Sequence, residues 1–134
     1  HQGESYESLQ SALDAYGVND VRAPSWIPEA VELEHALAVE LPNFLRIEFE
    51  AFYKGEDAEI LISYVCYEDG EVTPVFEKDK TGVYPYIVGN TMHYIFENNG
   101  KSIAAWVHGS FNCIIQTDLP VSDMEKIIDS MYER

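Results

Sequence analysis

From residue 31 onward, apolar and polar positions alternate with a period of two, the pattern of strands buried on one face. In "ELEHALAVEL" Leu33, His35, Leu37, Val39 and Leu41 fall on one side, with Glu32, Glu34 and Glu40 on the other. "FLRIEFEAFY" sets Leu45, Ile47, Phe49, Ala51 and Tyr53 against Arg46, Glu48 and Glu50. One dry face and one wet face are therefore expected here. "AEILISYVCY" is apolar on both sides, with Ile60, Ile62, Tyr64 and Cys66 opposing Leu61, Val65 and Tyr67. Both of its faces are expected to be covered. "LPN" and "KGED" punctuate these runs.

The second half carries regular turn signals. Asp69-Gly70, Gly89-Asn90, Asn99-Gly100 and Gly109-Ser110 separate β-prone runs: "EVTPVFEK", "VYPYIV", "TMHYIFE", "KSIAAWVH" and "FNCIIQT". Such dipeptides supply the positive φ that two-residue hairpins demand. Pro74 and Pro85 cannot donate to a ladder, so their strands are expected at edges or with irregularities. "KDKTG" reads as a longer surface loop.

Two segments follow a helical period instead. In "SYESLQSALDAYG" Tyr6, Leu9, Leu13 and Tyr16 recur at three- and four-residue steps, with Ser5 as the expected N-cap and Gly17 as the left-handed stop. In "LPVSDMEKIIDSMYER" the stripe is Met124, Ile127, Ile128 and Met131, preceded by a Ser122–Glu125 capping box and by Pro120. An amphipathic helix must cover an apolar surface, and the dry face of the sheet is the large one available. The expected fold is α+β, a single domain over 1–134. An N-terminal helix (1–17) and a connection (18–30) precede one curved, antiparallel, mostly meander sheet of about eight strands (31–117). A C-terminal amphipathic helix (121–133) closes it, both helices packed on the sheet.

The connection contains "APSWIPEAVEL". Pro24 and Pro28 fix their own φ and hold the preceding residues extended. Trp26 and Ile27 thus stand stiffly where the first helix hands over to the first strand. A presented binding loop is one reading. The other, preferred here, is a structural clip, each large apolar side chain contributing about 1.5–3 kcal/mol on burial.

Composition narrows the function classes. A 134-residue chain that is 46% hydrophobic can bury a full core and is not a disordered segment. Lys plus Arg number 8 against 24 Asp plus Glu, a net charge of −16. That surface repels phosphate backbones and anionic headgroups, which excludes nucleic acid and direct anionic-membrane binding as expected functions. No apolar run reaches the length of a membrane span. The chain begins at His1 rather than Met, so a removed preceding segment with a targeting or anchoring role is expected. Cys66 and Cys113 both lie in strand-like runs. Buried thiols are the expectation, and a single strand-to-strand bridge the alternative.

Little in the sequence carries chemistry. "HGSFN" puts His108 two residues from Ser110, but a Gly-Ser pair between strands is first a turn, and no G-x-S-x-G elbow exists. His35, His93 and His108 are scattered singly without metal-ligand spacing. His35, on the apolar side, reads as a satisfied core histidine. The acidic turns "YEDGE" and "KGEDAE" lack the ligand ladder of a calcium loop. Glu48 and Glu50 share a face read as solvated, where no raised acid is expected. No catalytic residue, cofactor site or metal site is expected.

Two segments carry a resemblance. "APSWIPEAVEL" is similar to the opening motif, and "AAWVHGSFNCIIQTDLPVSDMEKIIDSM" to the ending, of the domain of unknown function 4367 family. The resemblance spans about residues 23–132 and rests on Pro24, Trp26, Pro28, Trp106, Gly109 and Phe111, with Leu119, Met124, Ile127, Ile128, Ser130 and Met131. These are structural-motif positions, without assigned catalytic roles. Ala30 departs from a tendency to Gly, which puts a positive-φ turn there in question. What the resemblance implies is a location: such domains sit mainly in Gram-positive bacteria, beyond a transmembrane helix in anti-sigma-factor-like or lipoprotein-like chains. The resulting expectation is a non-enzymatic, extracytoplasmic sensory or interaction domain that binds a protein or cell-envelope component. An apolar-ligand carrier and a hydrolase are the alternatives.

Overall fold

The computed structural model describes residues 3–41, 46–67 and 82–132. The alternating runs form strands β2 (Val31–Leu41), β3 (Arg46–Gly55), β4 (Glu59–Tyr67), β5 (Tyr84–Val88), β6 (Thr91–Asn98), β7 (Lys101–His108) and β8 (Phe111–Thr117). A two-residue strand β1 (Glu4–Ser5) and two helices, α1 (Leu9–Ala15) and α2 (Val121–Ser130), complete the element list. The expected strand over 71–78 with Pro74, the Asp69-Gly70 turn and all of "KDKTG" but Gly82 lie outside the described residues, as do Pro42 to Leu45.

All eight strands form one antiparallel sheet in the order β1-β2-β3-β4-β8-β7-β6-β5. Neighbours follow chain order except at one joint, where β4 pairs with β8. The two strands at that joint are apolar enough to sit in the middle. Ile60, Ile62, Tyr64, Cys113 and Ile115 are all buried, while Leu61 and Val65 on the opposite face are half-buried. Pro85 falls on β5, an edge of the sheet, as a residue without a ladder donor should. The turns Gly89-Asn90 and Gly109-Ser110 place positive φ at the first residue (61° at both glycines), the type II′ pattern. Asn99-Gly100 has positive φ at both positions (54° and 80°), the type I′ pattern.

Register aligns the large core residues in a row across the sheet. Ala38 faces Phe49, Phe49 faces Tyr64, Tyr64 faces Cys113, and Cys113 faces Trp106. The row ends at His93, whose ring centroid lies 4.6 Å from that of Trp106. Cys66 and Cys113 sit on neighbouring strands but are not opposite each other, and no disulfide joins them.

His35 corrects the reading of the first long strand. The β2–β3 register shifts between Leu33 and His35. A bulge there inserts one residue, and every later side chain changes face. Ala36 and Ala38 therefore turn into the core, and His35 turns out. It is not a core histidine: its side chain is 39% exposed and its Nε2 lies 2.9 Å from Glu50 Oε2.

Both helix N-caps also differ from expectation, although α2 begins at Val121 as expected. Ser5 pairs with Leu37 in β1, and Tyr6 N donates to Ala36 O. With the chain held extended there, the N-cap of α1 is Ser8, whose Oγ accepts from Ser11 N. At its other end the stop is as expected. Gly17, at φ 69°, donates to Asp14 O, and Val18 N donates to Leu13 O, a Schellman closure. Helix α2 starts one residue before Ser122, so the Ser122–Glu125 capping box does not form. Pro120 occupies the N-cap with no side-chain bond, and its carbonyl accepts from Asp123 N and Met124 N.

Leu9, Ala12 and Leu13 from α1 and Met124, Ile127 and Ile128 from α2 belong to one buried cluster with the core face of the sheet. α1 contacts β2 and β3, and α2 contacts β7. Tyr84 and Tyr86 of β5 donate their hydroxyls to Glu125 (3.1 Å) and Asp129 (2.7 Å) of α2.

Candidate functional site

Trp106 and the residues around it build the site. Its indole is 1% exposed, fixed between the cross-sheet neighbour Cys113 and the edge of the His93 ring. His93 is fully buried, and its two nitrogens have different partners. Nδ1 lies 2.9 Å from the carbonyl of Tyr86, which only accepts, so Nδ1 carries the proton. In the neutral ring Nε2 is then an acceptor, and the Tyr132 hydroxyl donates to it at 2.7 Å. Burial is the main cause holding the His93 imidazole below its ordinary range, and it pushes the Tyr132 phenol up to about 12. The pair is thus neutral at pH 7. It ties Tyr132, just past the end of α2, to the sheet.

A cleft of about 350 Å³ opens beside this pair. One wall is the connection, with Asn19, Asp20, Val21 and Arg22. The other holds Trp106 and His108 from β7 and Met131 and Tyr132 from the end of α2. The connection is anchored where it passes: Tyr64 Oη donates to the Arg22 carbonyl at 2.9 Å. Glycine suits the rim at position 109: its φ of 61° is left-handed, and a Cβ there would stand 2.7 Å from Asp20 Oδ2, so the Asp20 carboxylate would have to shift.

The proline-flanked segment docks next to the cleft. Ser25 N donates to Ser130 Oγ at 3.1 Å, and Ser25 Oγ donates to the Ser130 carbonyl at 3.0 Å. That carbonyl is one of the acceptors a helix leaves unpaired at its C-terminus, so the connection caps α2. Ser130 Oγ in turn donates to Ile127 O at 2.8 Å. Trp26 and Ile27 are half-buried against the core, and Lys126 Nζ sits 4.4 Å from the centroid of a Trp26 ring. Pro24 and Pro28 are half-buried at either side. Phe111 stacks obliquely on Phe49 in the core, centroids 6.2 Å apart, and Ile127 is fully buried. The opening and ending segments therefore meet through Ser25 and Ser130 and through Trp26 and Lys126. Ala30 needs no positive φ, since among the described residues Asn99 is the only non-glycine that has one.

Other candidates separate. Ser110 Oγ lies 3.4 Å from Cys66 Sγ, and His108 Nδ1 lies 3.3 Å from Thr91 Oγ1, so the "HGSFN" pair does not form a nucleophile–base couple. Glu48 accepts from Ser63 Oγ at 3.3 Å, while Glu50 faces His35. Among the described residues no three His, Cys, Asp or Glu side chains converge to hold a metal ion. Sequence reasoning missed the His93–Tyr132 pair, the Ser25–Ser130 clasp and the Asp20–Arg22 wall. None lies on a periodic stripe, and each depends on contacts between distant segments.

The depressed His93 pKa has a measurable consequence. A base whose folded pKa lies below its unfolded value contributes stability that is complete above the unfolded value, near 6.5. That stability is lost as pH falls toward the folded value. The urea midpoint of the chain should fall between pH 7.5 and 5.5, with a slope of at most about 1.4 kcal/mol per pH unit from this group. His93→Gln should flatten that slope. Equal slopes in the two proteins would show that His93 is not held neutral.

Among curated proteins none matches the chain. The chain belongs to the family described as domain of unknown function (DUF4367), whose family model matches residues 22–131.

Proposed function

We propose that the chain is a non-enzymatic, extracytoplasmic sensory or interaction domain of a membrane- or lipid-anchored bacterial protein, recognising a protein or cell-envelope component. The carrying observation is where the motif residues meet. Trp106 and Met131 line the cleft, Gly109 admits Asp20 to its rim, and Ser130 clasps the connection that forms its wall. The strongly acidic surface supports a partner that is neither nucleic acid nor an anionic bilayer. Among the described residues, no helix is long and apolar enough to cross a membrane.

An apolar-ligand carrier is the alternative reading, and packing weighs against it. Trp106, Tyr64, Phe49, Leu9 and Leu13 are fully buried between sheet and helices, so an acyl chain would have to displace them. A hydrolase lacks its couple at Ser110, as described above. The location is tested by protease treatment of intact cells making the full-length protein. The domain should be cleaved without lysis, and protection until the cells are broken would overturn the reading.

A further inference from the structure

The cleft has a charge pattern that specifies a class of ligand. Arg22 lines it, and among the described residues no carboxylate or aromatic ring meets its charged group. In a chain with 24 acidic and 8 basic residues, a guanidinium left unpaired is unusual. Asp20 lines the same wall, its carboxylate leaning over Gly109, again with no hydrogen-bond or ion-pair partner among the described residues. On the opposite wall Trp106 and Met131 are buried, and the half-buried His108 and Tyr132 face the cleft. With Nδ1 facing Thr91, His108 keeps Nε2 available. The Tyr132 hydroxyl, donating to His93, keeps a lone pair.

We propose that this cleft binds a small zwitterion of the α-amino-acid class, its carboxylate on Arg22 and its ammonium on Asp20. A planar guanidinium accepts a carboxylate through two parallel hydrogen bonds, and this is the strongest recognition available to Arg22. A net anion would gain that contact but would meet Asp20 and a surface of charge −16. A net cation would satisfy Asp20 and leave Arg22 unused. A zwitterion satisfies both without net charge. The volume of about 350 Å³ lies near the lower end of ligand pockets, about 300–1,000 Å³, and suits a free amino acid or a dipeptide.

The inference adds a small-molecule ligand to the proposed sensory domain, beside its protein or envelope partner, and rests on that reading. Binding is measured in solution and cellular location is not, so the two fail separately. The 134-residue chain is titrated with L-phenylalanine and L-leucine to about 10 mM, a range that reaches weak complexes. Amide NMR shifts and calorimetry are the readouts. Saturable shifts are expected at Asp20, Arg22, Trp106, His108 and Tyr132. N-acetyl-L-phenylalanine, without the ammonium, and L-phenylalaninamide, without the carboxylate, should each bind about tenfold more weakly or worse, the loss of one charge-assisted contact. Arg22→Gln and Asp20→Asn should weaken phenylalanine to a similar degree at an unchanged urea midpoint, with Arg22→Lys between. No shift at these residues with either amino acid would overturn the proposal. So would blocked derivatives that bind as well as phenylalanine, or an Arg22→Gln protein that binds undiminished.

Discussion

Trp106→Ala is expected to lower the unfolding free energy by about 3–5 kcal/mol, the range for truncating a large buried aromatic. The residue stands in the cross-sheet row next to its His93 end, 1% exposed, opposite Cys113 and against the edge of His93. Removing the indole leaves a cavity that surrounding strands cannot close, because β7 is held on both sides by β6 and β8. It also deprives His93 of the ring that keeps it dry, so the His93–Tyr132 hydrogen bond opens to water. Trp26→Ala is the control. That ring is half-buried and bears Lys126 on one face, so its loss removes part of an apolar contact and one cation–π pair. A cost of about 1–2 kcal/mol follows, from partial burial and a cation–π contact worth about 0.5–1 kcal/mol at an exposed site. Urea midpoints of the two variants measure the difference directly. A domain of this kind is stable by only about 5–15 kcal/mol, so the Trp106 variant should unfold at markedly lower urea. Equal costs for the two tryptophans would mean that the row is not the centre of the core.

The strands were legible because their signal is local. Period-two alternation with Asn-Gly and Gly-Asn turns needs no knowledge of distant residues, and β3, β6, β7 and β8 follow it closely. What failed was what depends on pairing. The bulge after Leu33 is set by how β2 meets β3, and it moved His35 from the dry face to a partner on Glu50. The β4–β8 joint joins segments about fifty residues apart, and no turn dipeptide marks it. Strand β1 is two residues long, too short for any period, and its formation moved the helix start from Ser5 to Ser8. The S-x-x-E spacing at Ser122 was present, but Pro120 with φ −61° and ψ 156° already served as the boundary. A motif of four residues gives way when the chain enters the helix one position earlier.

The site was less legible than the fold. The proline-flanked segment was read as a clip, and a clip is what its contacts describe, but its principal bonds come from Ser25 rather than from Trp26. Serine in a connection carries no sequence signal until its partner at Ser130 is known. Asp20 and Arg22 lie in "VNDVRAPS", a stretch without period, and only the fold shows that they share a wall with the β7–β8 turn. A weak signal did exist. Arg22 is the sole basic residue in the first forty-five of a strongly acidic chain, and a lone cation there invites the question of what it faces.

Gly55→Ala should rank with the most damaging single-methyl additions available to this chain, costing about 3 kcal/mol or more, the upper part of the range for overpacking. The glycine is required by space. Its φ is not in the left-handed region, but a Cβ built on it would lie 2.1 Å from the Ala30 carbonyl oxygen and 3.2 Å from Val31 Cγ1. The first of these is backbone and cannot rotate away. Relief requires the turn closed by Val31 N on Pro28 O to retreat, and Val31 is the residue paired with Gly55 at the start of β2. Retreat would loosen the β2–β3 ladder at its end and the Gly55 N to Ala58 O bond, 2.8 Å, that turns β3 into β4. It would also pull on Pro28 and so on the clip that caps α2. Gly17→Ala supplies the comparison. There the φ of 69° is strained for alanine while nothing lies within 4 Å of the added methyl. Conformational strain alone costs about 1–2 kcal/mol. If the two variants unfold at the same urea concentration, Ala30 does not press on Gly55 as described. A larger loss at Gly55, with hydrogen exchange accelerated at Val31 and Ala58, is the expected result.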